Sequence, residues 1–129
     1  MQIVDCRFEE VSPEEFKKRT QGYGLRITRL VLSLDGSQVG RTFGNQLLRA
    51  GTSVGANYRA ACRARSRSDF ISKMGVVEEE CDETLYWMEL LVDAAIVKRA
   101  RLADLIREGN EILALVVASR KTARFRAKR

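Results

Sequence analysis

Seven carboxylates lie between residues 78 and 93 with no basic residue among them: Glu78, Glu79, Glu80, Asp82, Glu83, Glu89 and Asp93. Glu79 and Glu83 are four apart, as are Glu78 and Asp82, so on a helix each pair shares a face. Carboxylates so placed could hold a di-metal centre in a helix bundle. Such centres draw on Glu-x-x-His motifs, and this chain has no histidine. That absence also removes a Ser-His-Asp triad, a Cys-His pair and any His-ligated metal. Two other readings of the acids stay open. They form a solvated acidic face, or they meet arginines of the preceding helix, such as Arg49 or Arg59, and so fix helix register. The second is preferred.

The remaining candidates for chemistry are weaker. Gly51-Thr52-Ser53-Val54-Gly55 looks like a phosphate loop but lacks the Lys-Ser/Thr that a P-loop requires. It lies within a helical pattern, so close helix packing is the better reading. Cys6, Cys62 and Cys81 are odd in number and none are at C-x-x-C spacing. This argues against a disulfide framework or zinc site and for reduced thiols in the cytoplasm. Cys81 falls in an apolar periodic run and reads as a small buried hydrophobe. No nucleophile stands with a base, and no cofactor loop is present. The expectation is a protein without catalytic residues, cofactor, metal or small-molecule substrate.

The elements that must position these residues are helical. The chain has 129 residues, 45% hydrophobic and 31% charged, which fits one folded domain. A single proline, Pro13, argues against a turn-rich sheet protein. Residues 1–11 show no period and read as an N-terminal arm. Ser12-Pro13-Glu14-Glu15 is a helix start with the pattern of a capping box. Phe16, Thr20, Tyr23, Ile27, Leu30 and Leu34 then recur at spacings of three and four. Gly22 and Gly24 weaken that helix, each by about 1 kcal/mol against Ala. Asp35-Gly36-Ser37 ends it.

A second helix carries Phe43, Leu47, Ala50, Val54, Tyr58 and Ala61, with a middle of unusually small residues. Ser66-Arg67-Ser68-Asp69 opens a third. Its seam of Phe70, Met74, Val77, Cys81, Thr84, Met88, Leu91 and Ala95 predicts a helix to about Val97, roughly 42 Å long at 1.5 Å per residue. Lys98-Arg99-Ala100 is the expected corner. A fourth helix carries Leu102, Leu105, Ile106, Ile112, Leu113, Val116 and Val117 and is expected to end near Ser119. Residues 120–129 then read as a basic tail. The predicted fold is all-α, an up-and-down antiparallel four-helix bundle over residues 12–119. The longest apolar run, Ile112 to Ala118, is too short to span a membrane, and no secretory signal is visible, so a cytoplasmic protein is expected.

The formal net charge of +6 is unevenly spread. Residues 41–77 carry seven bases and one acid; residues 78–93 carry only acids; residues 118–129 carry six bases and no acid. The bundle is therefore bipolar and the excess charge sits at one end of the chain. Arg63, Arg65 and Arg67, with Arg120, Lys121, Arg124 and Arg126, are the expected contacts to the phosphates of RNA or DNA. Val76, Glu80, Glu83, Trp87 and Leu90 form a second stripe on the third helix. It marks either a subunit interface or extra core contacts with the first or fourth helix.

Three segments carry a family resemblance. Residues 46–60, QLLRAGTSVGANYRA, resemble the second-helix motif of bacterial four-helix-bundle proteins first noticed as reading frames within intervening sequences of the 23S ribosomal RNA gene. Ser68-Asp69-Phe70-Ile71 and residues 77–91, VEEECDETLYWMELL, resemble that family's third helix. The resemblance covers residues 13–120. It implies a small cytosolic bundle assembled as a homopentamer, and it is related to the accessory proteins of diversity-generating retroelements, in which a basic surface engages nucleic acid and the reverse transcriptase. By resemblance, Arg49, Ser53, Asn57, Glu79 and Glu83 occupy signature positions, with structural roles. The combined expectation is a non-enzymatic, oligomeric scaffold that binds nucleic acid or a ribonucleoprotein. The alternative is a self-assembly module without nucleic-acid binding.

Overall fold

The computed structural model describes residues 12–127. The arm expected over residues 1–11, with Cys6, lies outside the described residues, as do Lys128 and Arg129. Four helices follow one another: α1 (Pro13–Leu32), α2 (Gln38–Cys62), α3 (Arg67–Asp93) and α4 (Arg99–Ala127). Short connections force each helix to run back along its predecessor. α1 packs on α2, α2 on α3 and α3 on α4, and a shorter α1–α4 contact closes the ring.

The starts of α1, α2 and α3 are set by serines. The Ser12 hydroxyl accepts from the Glu15 N–H at 3.1 Å, with Pro13 at the first helical position. Ser37 caps α2 by accepting from the Gly40 N–H at 3.0 Å. Ser66 caps α3 by accepting from the Asp69 N–H at 3.0 Å, and the Asp69 carboxylate accepts from the Arg65 N–H at 3.1 Å. Each cap satisfies amides that have no partner within the helix.

The core runs the length of the bundle. Phe16, Tyr23, Ile27, Leu47, Val54, Tyr58, Phe70, Met74, Met88, Leu91 and Ile112 are all buried. Phe16 and Tyr58 meet edge to face with centroids 4.8 Å apart. The small residues of α2 let α1 come close. A Cβ added at Gly51 would stand 2.5 Å from Ile27 Cδ1, and one at Gly24 would stand 3.6 Å from the Gly51 carbonyl. The Gly51–Gly55 segment is thus a helix crossing and not a phosphate loop.

Two boundaries differ from the expectation. α3 stops at Asp93, four residues before Val97, because Ala95 adopts a left-handed conformation with φ 60°. The Ile96 N–H then bonds the Leu91 carbonyl at 3.0 Å and the Ala95 N–H bonds the Val92 carbonyl at 2.9 Å, a Schellman termination. Glycine usually takes that position, so no stop signal is visible in the sequence. α4 continues beyond Ser119 to Ala127. What reads as a basic tail is therefore two further helical turns as far as Ala127. Ser119 and Ala123 are buried, which extends the inward face of α4 with small residues.

Candidate functional site

The antiparallel course of the helices gathers the basic clusters. The start of α1, the end of α2, the start of α3 and the end of α4 lie at one end of the bundle. Arg63 caps α2, Arg65 stands in the α2–α3 connector and Arg67 opens α3. Arg63 and Arg65 are exposed and Arg67 is half-buried. On α4, Lys121, Arg124 and Arg126 are exposed at the same end. Basic residues more than 50 positions apart in sequence thus come to the same end of the bundle.

Arg120 sits among them but is engaged within the fold. Its Nε donates to the Ile71 carbonyl at 3.0 Å, and Nη1 lies 3.7 Å from Glu78 Oε1. Its guanidinium lies over Gly75, where an added Cβ would come within 2.8 Å of Nη2. Arg120 therefore ties α4 to the first turns of α3. The glycine gives the side chain a seat, and a helix carbonyl accepts a hydrogen bond from its N–H.

Two acids of α3, Glu80 and Glu83, face α2. Arg49 on α2 meets them, through Nη2 to Glu83 Oε2 at 2.7 Å and Nη1 to Glu80 Oε2 at 3.4 Å. Glu79 is exposed and is not in this pair. Burial raises the Glu80 pKa, against the pull of Arg49. Arg59, the other arginine expected to meet these acids, faces α1 and lines a groove with Lys17 and Lys18. Among the described residues no group of three or more Cys, Asp or Glu side chains is arranged to hold a metal ion.

Ser53 and Asn57 stay on their own helix. The Ser53 hydroxyl donates to the Arg49 carbonyl at 2.6 Å and the Asn57 amide donates to the Ser53 carbonyl at 2.9 Å. Such local bonds satisfy polar side chains beside a close helix crossing. Trp87 is half-buried. It packs against Phe43 of α2, centroids 5.6 Å apart, and against Tyr86, centroids 5.1 Å apart. Its helix partner is therefore α2, and not the first or fourth helix that one of the two sequence readings of this stripe offered. Tyr86 itself is 57% exposed, which leaves an aromatic edge on the surface.

The sequence reading missed the link between α1 and α4. Arg19 grips Glu108 and also reaches Glu111 at 2.8 Å. Beside it, Gly109 leaves room for the Tyr23 ring: an added Cβ would stand 2.4 Å from the Tyr23 hydroxyl. The Cys81 thiol is buried, and burial pushes its pKa up to about 12, with Glu78, Glu80 and Asp82 adding to the effect. It is a core residue and not a nucleophile.

Fold and site together define an antiparallel helical bundle with a basic end and an acidic flank. The chain belongs to the family of 23S rRNA-intervening sequence proteins, whose family model matches residues 16–118. It is similar to the crystal structure of a protein of unknown function from the S23 ribosomal protein family of Bacteroides thetaiotaomicron. The two share 34% identity over 84% of this chain and 97% of that one, with a TM-score of 0.79. No curated protein matches the chain. No helix among the described residues is long and apolar enough to cross a membrane.

Proposed function

We propose that this protein is a non-enzymatic, self-assembling helical scaffold of the cytoplasm that binds RNA or DNA through the basic end of its bundle. The observation that carries the reading is the convergence of Arg63, Arg65 and Arg67 with Lys121, Arg124 and Arg126 at one end. A surface of that kind attracts phosphates without reading sequence. Assembly as a homopentamer is the form that the family resemblance supports. The aromatic edge of Tyr86 and Trp87, beside the acids of α3, is the surface proposed to meet a neighbouring copy.

The test is a binding titration of short labelled DNA and RNA over about 50 to 200 mM salt, with mass measured in solution for the protein and for Trp87→Glu. The expected result is salt-sensitive binding and an oligomer that Trp87→Glu breaks. An oligomer without binding to either nucleic acid at low salt favours the second reading, a self-assembly module, for which the exposed Tyr86 is the specific observation. An intact assembly in Trp87→Glu removes Trp87 from the interface.

A further inference from the structure

Between the first turns of α1 and the last turns of α2 lies an open groove of about 280 Å³. It is lined by Glu14, Lys17, Lys18, Gln21, Arg59 and Arg63. Four of these six are cations and one is an acid. Lys17 is held by Glu14 at 3.0 Å. Among the described residues, Lys18, Arg59 and Arg63 have no carboxylate partner, and all three are exposed. The sequence hides this site, because residues 1–40 are electrically balanced and Lys17 and Lys18 stand next to two acids. Only the packing of α1 on α2 brings them beside Arg59 and Arg63.

The geometry points to this groove as a seat for the phosphodiester backbone of a nucleic acid, an inference that rests on the function proposed above and extends its surface onto α1. Small-molecule sites are enclosed and mostly apolar, whereas this groove is open and lined only by polar side chains. It lacks an aromatic side chain on which a base could stack. Arginine offers a planar fork that matches two phosphate oxygens, and lysine adds a point charge. The groove is continuous, through Arg63, with the connector arginines Arg65 and Arg67. A backbone lying in it would pass onto the basic surface formed by α3 and α4.

The test compares Lys18→Gln/Arg59→Gln with Lys121→Gln/Arg124→Gln in the full chain, using a short labelled DNA duplex over about 50 to 200 mM salt. All four positions are exposed, and circular dichroism verifies the fold of each variant. Each phosphate contact contributes about 0.9 to the slope of log affinity against log salt. The groove variant is expected to flatten the slope by about 1.8. Glu14→Gln, which frees Lys17 and removes the one acid, is expected to tighten binding several-fold. Duplex binding by the groove variant with wild-type affinity and slope would overturn the groove while leaving the proposed function standing. A wild-type chain that binds no nucleic acid would remove both. A second arm titrates inorganic triphosphate. Binding of triphosphate that depends on Lys18 and Arg59, without binding of the duplex or of short RNA, would overturn the assignment to nucleic acid.

Discussion

The Arg19 guanidinium on α1 holds the Glu108 carboxylate on α4 in a two-bonded fork, Nε to Oε2 at 2.8 Å and Nη2 to Oε1 at 2.7 Å. This is the principal polar link across the thinnest seam of the bundle. The hydrogen bond from Arg19 holds the Glu108 carboxyl below the usual carboxylate range, against the opposing effect of burial. A lowered carboxylate pKa contributes stability that is present above the unfolded value, about 4.3. That contribution is lost as pH falls through the lower folded value. Glu80, whose pKa burial raises, works in the opposite direction. Glu108→Gln is therefore expected to cost about 1 kcal/mol at neutral pH, with the gap to wild type closing in strong acid. Urea unfolding at a series of pH values measures this, and a gap independent of pH would refute it.

Two glycines of the α1–α4 region should respond in opposite directions to the same change. Nothing lies within 4 Å of a Cβ added at Gly22. Gly22→Ala is expected to stabilise the protein by about 0.5–1 kcal/mol through helix propensity. At Gly109 the new methyl would meet the Tyr23 hydroxyl at 2.4 Å and Leu85 Cδ2 at 2.9 Å, both in the core. Gly109→Ala is expected to destabilise by about 1–3 kcal/mol from overpacking. Thermal unfolding of the two variants decides the matter, and equal signs would show that the seam can relax.

Ala95 closes α3 in a conformation that side chains with a Cβ adopt at a cost. Ala95→Gly is expected to raise stability by up to about 1 kcal/mol, since relief of strain outweighs the added freedom of the unfolded chain. A lower midpoint in denaturant for this variant would contradict the strain.

Arg120 and its neighbours on α4 should separate structure from binding. Arg120→Gln is expected to lose about 1 kcal/mol of stability, because the Ile71 carbonyl and the surface over Gly75 lose their cover. Lys121→Gln and Arg124→Gln change exposed side chains and should leave unfolding within about 0.5 kcal/mol of wild type. A stability loss at Lys121 or Arg124 equal to that at Arg120 would mean that all three bind inside the fold.

Much of the architecture was legible because it depends on patterns with a fixed period or a local partner. The caps at Ser12 and Ser66 and the seams of α1 to α3 follow from spacing alone. The end of α3 was not legible, since an alanine occupies a glycine position. The end of α4 was misread because its buried residues there, Ser119 and Ala123, are small and stand among arginines and lysines. The candidate site was legible in its cations but not in their company. That Arg120 turns inward to Ile71, or that Arg59 joins Lys17 and Lys18, depends on which helix packs on which face.

The antiparallel course also determines what can be attached to this protein and where. The first turn of α1 and the last turn of α4 lie at the basic end, so an affinity tag or fused enzyme joined directly to either helix is tethered beside it. A fluorophore or inserted epitope at the far corners, Asp35–Ser37 or Ala94–Lys98, would leave that end clear.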